Sequence, residues 1–149
     1  MHTIASDKNS MIFECIKENN LSSLKSLIEA DVSNLQNIHL LYSYLHSAAS
    51  NGNIEAVQFF LNKGLNINIK DHDKRNILFS AIEHGKLEMV EFLIKSNINT
   101  SVKDNYDLSP LNFAKIMQST NSKNKKLHHI SNKIVSILEN HEKLKANQR

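Results

Sequence analysis

Residues 51–71, NGNIEAVQFFLNKGLNINIKD, return 33 positions later as residues 84–104, HGKLEMVEFLIKSNINTSVKD. Each stretch opens on a turn pair ending in glycine, runs through an apolar stripe and closes in small polar residues alternating with Ile or Val. In the second stretch Leu87, Val90, Leu93 and Ile94 fall at i, i+3, i+6 and i+7, which is one face of a helix. Gly85 supplies a left-handed stop for the helix before it. The closing segment, with Ile98 and Val102 between polar residues, predicts an extended arm.

The same shift holds outside the two stretches. Leu45 falls on Leu78 and Leu111, Ala48 on Ala81 and Ala114, and Lys70-Asp71 on Lys103-Asp104. Backwards it gives a degenerate first copy, with Ile12 on Leu45, Cys15 on Ala48, Asn19 on Gly52 and Leu24 on Val57. Each copy reads as two short helices. Asn76 is the expected N-cap of a helix through about Glu83, and Ser109-Pro110 is a cap followed by proline at the first helical position. In the last copy Ile134, Ile137 and Leu138 echo Val90, Leu93 and Ile94 at a spacing of 44, so an insertion of 11 is expected. It is read as a polar loop, QSTNSKNKKLHH at 118–129, before a capping second helix. One helix pair cannot bury its apolar face alone, and stacked pairs build a continuous core with atypical repeats at the ends.

With 149 residues and 40% apolar content, one domain with a real core is expected. Three glycines and one proline argue against an all-β protein. There is no run of about 18 apolar residues to span a membrane, and the polar N-terminus has no secretory h-region. The single cysteine, Cys15, fits a reducing, cytoplasmic setting. The net charge of +3 is uneven. Eight basic residues stand against Glu139 and Glu142 from Lys115 onward, while the first 114 residues hold ten basic and thirteen acidic. Such a run is ordinarily a solvated face, so nucleic acid is not the expected partner.

The chain resembles the ankyrin repeat family, whose repeat of about 33 residues carries a Thr-Pro-Leu-His-x-Ala signature. That signature stands here as SYLHSA (43–48), NILFSA (76–81) and SPLNFA (109–114). The family's Gly-Ala-Asp-x-Asn segment appears as GLNIN (64–68) and SNINT (96–100). The first copy, IFECIKENN at 12–20, lacks both glycines and reads as an N-terminal cap. The resemblance implies an all-α solenoid of about four repeats, near 5–37, 38–70, 71–103 and 104–140, with a tail at 141–149.

No catalytic constellation is legible: no Gly-x-Ser-x-Gly, phosphate loop or carboxylate pair is present. Adjacent His128 and His129, with His141, lack metal-ligand spacing. No enzyme, metal or cofactor is expected. Cys15 shares the small slot of Ala48, Ala81 and Ala114, where it would pack as a buried hydrophobe. His46, at the signature position, is implied to hydrogen-bond structurally. The phenylalanines are expected in the core.

The family's partners are usually gripped by turn tips and the inner face of the first helices. In register these are Lys17, Glu18, Ser50, Asn51, Glu83, His84, Ile116 and Met117 on the helices. On the arms they are His39, Leu40, Tyr42, Lys70, His72, Asp73, Arg75, Lys103, Asn105, Tyr106 and Leu108. Arg75 is expected to be the partner's anchor, with Arg75→Ala leaving the fold intact. Leu40-Leu41-Tyr42 stands out, because apolar residues occupy a place where a polar turn is expected. The implied function is non-enzymatic protein binding by a free monomer, as an inhibitor or immunity protein against a co-encoded toxin or effector enzyme. The alternative is a nucleic-acid binder or enzyme-associated module using the basic C-terminal segment.

Overall fold

Asparagine starts most of the helices. In the computed structural model, which describes residues 2–30 and 37–148, Asn20, Asn37, Asn53 and Asn124 each accept a main-chain N–H of the turn that follows, as does Ser109. The caps satisfy donors that a helix's first turn leaves unpaired. The resulting helices are α1 (His2–Lys17), α2 (Leu21–Glu29), α3 (Ile38–Asn51), α4 (Ile54–Asn62), α5 (Ile77–Glu83), α6 (Leu87–Lys95), α7 (Pro110–Thr120) and α8 (Lys125–Asn147). No strand occurs among the described residues.

The helices form consecutive pairs. The first members α1, α3, α5 and α7 pack side by side in chain order, and α2 packs on α4 and α6 on α8. Ala48, Ala81 and Ala114 are buried where the first helices meet, with Val57, Phe60, Val90 and Leu93 behind them. Gly52 and Gly85 end the first helices at φ +72° and +61°, as the repeat predicts. Asn19 takes that backbone conformation in the first pair at φ +55°, and Asn97 stands in for Gly64 at φ +59°. Asparagine tolerates the left-handed region better than other side chains do.

Three expectations change. The stretch 118–129 is largely helical rather than a polar loop: α7 runs to Thr120, a 3₁₀ turn spans Asn121–Lys123, and α8 begins at Lys125. Gln118 to Asn132 and Asn121 to Ser131 hydrogen bonds tie α7 and the 3₁₀ turn to α8. The expected tail continues α8 to Asn147. Asn76 stands at the N-cap of α5 without capping it; its Nδ2 donates instead to the Asn99 carbonyl of the next arm at 2.9 Å. The end of the first repeat at 31–36 and Arg149 of the tail lie outside the described residues.

Candidate interaction surface

The arm tips at 71–75 and 104–108 are two copies of one finger. Asp71 donates its N–H to the Arg75 carbonyl at 2.9 Å, and its Oδ1 accepts the Arg75 N–H at 2.8 Å. Asp104 and Leu108 repeat both bonds at 3.1 and 3.0 Å, and Asp104 also accepts the Tyr106 N–H at 2.9 Å. Lys74 and Asp107 turn the chain at φ +62° and +60°. The fingers join edge to edge: Asn105 donates its main-chain N–H to Asp73 O at 3.0 Å and its Nδ2 to His72 O at 3.1 Å.

The second repeat has no such finger. The position of Asp71 and Asp104 is occupied by Ile38, which cannot accept a turn N–H. Asn37 instead accepts the N–H groups of His39 and Leu40 at 3.1 and 3.3 Å and starts a helix. α3 is therefore 14 residues long, against seven for α5. Leu40 and Tyr42, expected in an arm, lie in the first turns of α3. Leu40 is half-buried against the core, and the Tyr42 ring lies 4.0 Å from the His46 ring one helical turn on. Between this helix start and finger 71–75 runs a groove of about 330 Å³, lined by Ile38, His39 and Tyr42 on one side and by Ile69, Lys70, Asp71 and His72 on the other. Four of the expected residues are thus brought together. Ile38 and Ile69 were missed, although Ile38 shows in the register as an aspartate position without aspartate.

Arg75 is not a free anchor. Its Nε and Nη2 donate to Asp104 Oδ2 at 3.0 and 2.8 Å, and its guanidinium lies 4.8 Å from the Phe113 ring centroid and 5.5 Å from that of Phe79. The Arg75 side chain is 21% exposed and that of Asp104 fully buried, so the pair clamps one finger to the next. Burial pushes the Asp104 carboxyl up. Hydrogen bonds from Leu108 N–H, Arg75 and Tyr106 N–H, with the Arg75 charge, outweigh this and hold it below its ordinary value. Leu108 is half-buried under its finger.

The other expected residues remain outside the core. Tyr106 is 74% exposed at its finger tip. His72 and Asp73 are 3.6 Å apart, and Lys103 pairs with Asp107 at 3.0 Å. Lys17, Ser50, Glu83 and Ile116 occupy equivalent repeat positions on four adjacent first helices, at or next to the helix end in α1, α3 and α5 and one turn before it in α7, and so form a row with Glu18, Asn51, His84 and Met117 beside it. His84 approaches the Ser80 carbonyl at 3.0 Å, and Asn51 donates to the Ser47 carbonyl at 2.8 Å.

Two groups are set by electrostatics. His46 Nδ1 hydrogen-bonds Ser80 Oγ across to α5, while its buried Nε2 has no partner. Burial lowers its pKa to about 4, since a protonated ring would hold an unsatisfied N–H. Cys15 is half-buried, not fully buried as expected, and lines an open groove with Met11, Glu14, Glu18 and Leu27. Burial raises its thiol pKa, and the nearby Glu18 and Glu14 charges raise it further, which keeps the thiol un-ionised.

No helix is long and apolar enough to cross a membrane among the described residues. A search of curated proteins finds no match. Among solved structures the chain is similar to the ankyrin domain of AnkB from Legionella pneumophila, at 24% identity and a TM-score of 0.59, covering 66% of this chain and 90% of that one. That likeness concerns the fold alone. A family model of ankyrin repeats in three copies matches residues 12–104. With its paired helices and left-handed stops repeating every 33 residues over that span, the chain belongs to the ankyrin-repeat family.

Proposed function

We propose that this chain works by binding another protein, without chemistry of its own, through the fingers, the groove beside them and the row along the first helices. Ankyrin repeats are generally protein–protein interaction modules. The observation that carries the reading here is the exposure of large side chains along this surface: Tyr106 is 74% exposed, Ile38 61% and Ile116 48%. A single exposed apolar residue is ordinary. Ile38 beside the groove, Tyr106 at a finger tip and Ile116 in the first-helix row suit an interface, where aromatic anchors carry much of the energy. The finer reading is that a monomer occludes its partner in the cytoplasm, as an inhibitor or an immunity protein neutralising a co-encoded toxin or effector enzyme.

Affinity capture with the full chain from its source cells tests this. A specific protein should stay bound between about 50 and 200 mM salt, where a phosphate-backbone ligand would be lost steeply. Tyr106→Ala with Ile116→Ala should weaken its binding by about 2 kcal/mol or more. Added chain should titrate away the activity of the purified partner if occlusion is the mechanism. Undiminished capture by the double variant would exclude this surface, and steep salt loss would move attention to basic α8.

A further inference from the structure

The missing finger leaves three things unsatisfied at one place. The first is a main-chain donor. His72 stands where Asn105 stands in the next finger, and the Asn105 N–H bonds to the preceding finger at Asp73 O. The preceding element at His72 is a helix start, and the His72 N–H has no acceptor among the described residues. The second is an apolar surface. Ile38 is 61% exposed and lines the groove with half-buried Tyr42 of the same helix and half-buried Ile69, and the groove's volume lies at the small end of the ~300–1,000 Å³ typical of ligand pockets. The third is charge. Lys103, just before finger 104–108, pairs with Asp107 of that finger, but the equivalent of Asp107 in finger 71–75 is Lys74. Lys70 therefore lacks the carboxylate that its counterpart has and lines the groove, exposed, with His39, Asp71 and His72. Asp71 accepts the Arg75 N–H and Asp73 lies 3.6 Å from His72, and among the described residues neither forms an ion pair with Lys70.

We propose that the groove between the start of α3 and finger 71–75 takes an extended segment of a partner protein, in the place of the missing finger. A partner carbonyl accepts the His72 N–H, as one finger already pairs with the next. An apolar side chain fills the space between Ile38, Tyr42 and Ile69, and an adjacent Asp or Glu pairs with Lys70. This is strand addition to an unpaired edge, in which main-chain bonds give affinity and the pocket gives specificity. It rests on the protein-binding reading above and adds the class of segment that is bound.

The probe is a random peptide library displayed on phage and panned on the full chain, with the enriched peptides then made synthetically. They should share an apolar residue next to an acidic one and shift the His72 amide resonance on titration. Ile38→Asp places a carboxylate on an exposed helix start, where it also suits the helix dipole, so the variant should fold. Ile38→Asp and Lys70→Glu should each weaken peptide binding about tenfold or more. Exchanging the peptide's acid for Lys should restore binding to Lys70→Glu and not to the parent. Leu144→Ala, on α8 and outside the groove lining, should leave peptide binding unchanged. Panning that returns no binder, or binders indifferent to Ile38→Asp, overturns the inference. So does a dimer of the chain itself that Ile38→Asp dissolves. A protein captured through Tyr106 and Ile116 would still stand in each of those cases, which separates the two failures.

Discussion

Arg75 and Asp104 show how a charged pair can look like a binding site and serve as a fastener. A guanidinium set between two aromatic rings and a buried carboxylate is already spent within the molecule. Arg75→Ala would leave Asp104 buried without its cation, which typically costs about 3 kcal/mol or more, and chemical denaturation of the variant should show that loss. Because folding lowers the Asp104 pKa, its stabilisation is present above its ordinary value of 3.8 and is lost as the pH falls below it. Asp104→Asn should therefore be less stable than the parent at neutral pH and lose less on acidification. His46 acts in a higher window. Its folded pKa of about 4 lies below the ordinary 6.5, so the unfolded chain binds the extra proton between those values. Stability should fall as the pH drops from about 6.5 to about 4, by up to about 3 kcal/mol, and level off below. Denaturation of His46→Gln across that range should show a flatter profile than the parent.

Each helix ends or begins by a local device, and its failure has a local cost. Gly85 closes α5 at φ +61°, and a Cβ there would lie 3.4 Å from Ile130 Cγ2 of α8. Gly85→Val thus meets both a strained backbone and a neighbour, and should destabilise by more than about 1 kcal/mol. Gly64→Ala shares only the backbone strain, since nothing lies within 4 Å of its Cβ. Thermal melts of the two variants should rank Gly85→Val as the less stable. The fingers follow the same logic. An aspartate that accepts its own turn's N–H groups makes a finger at 71 and 104, and isoleucine at 38 yields a longer helix instead. The start of α3 was therefore readable as an anomaly, but not as a helix, because the choice depended on Asn37 finding the His39 and Leu40 N–H groups.

Stability in a stack comes from each repeat's contact with its neighbours, so the middle pairs have two supports and the ends one. The central helices α3 to α6 carry fully buried Tyr44, Phe60, Leu78 and Met89. At the first pair, Ser22, Ser23 and Ser26 line the outer groove beside half-buried Leu27. Amide exchange should accordingly be slowest in α3 to α6 and faster in α1 and α2. Equal protection throughout would mean that the stack opens as one unit. Cys15 belongs to this end face. Despite its partial exposure it should react slowly with a thiol reagent near neutral pH, because Glu14 and Glu18 oppose thiolate formation. Rapid native labelling would contradict that electrostatic account.

The period, the paired helices, the glycine stops and the Ser109-Pro110 start were all legible in the chain, because each depends on residues close together in sequence. Register also marked the fingers at 71–75 and 104–108, but it put an arm at His39, Leu40 and Tyr42, where α3 begins instead. The insertion was misread because polarity resembles a loop, whereas bonds from Gln118 and Asn121 to a distant helix make that segment part of the fold. Arg75 was misread for the same reason: beside its near neighbour Phe79, its exposure depends on Asp104 and Phe113, which the chain brings to it from the next repeat. Local sequence sets which turns and helices can form, while the commitment of a polar side chain to the fold or to solvent is settled by which distant groups arrive beside it, through burial and pairing that no short stretch contains.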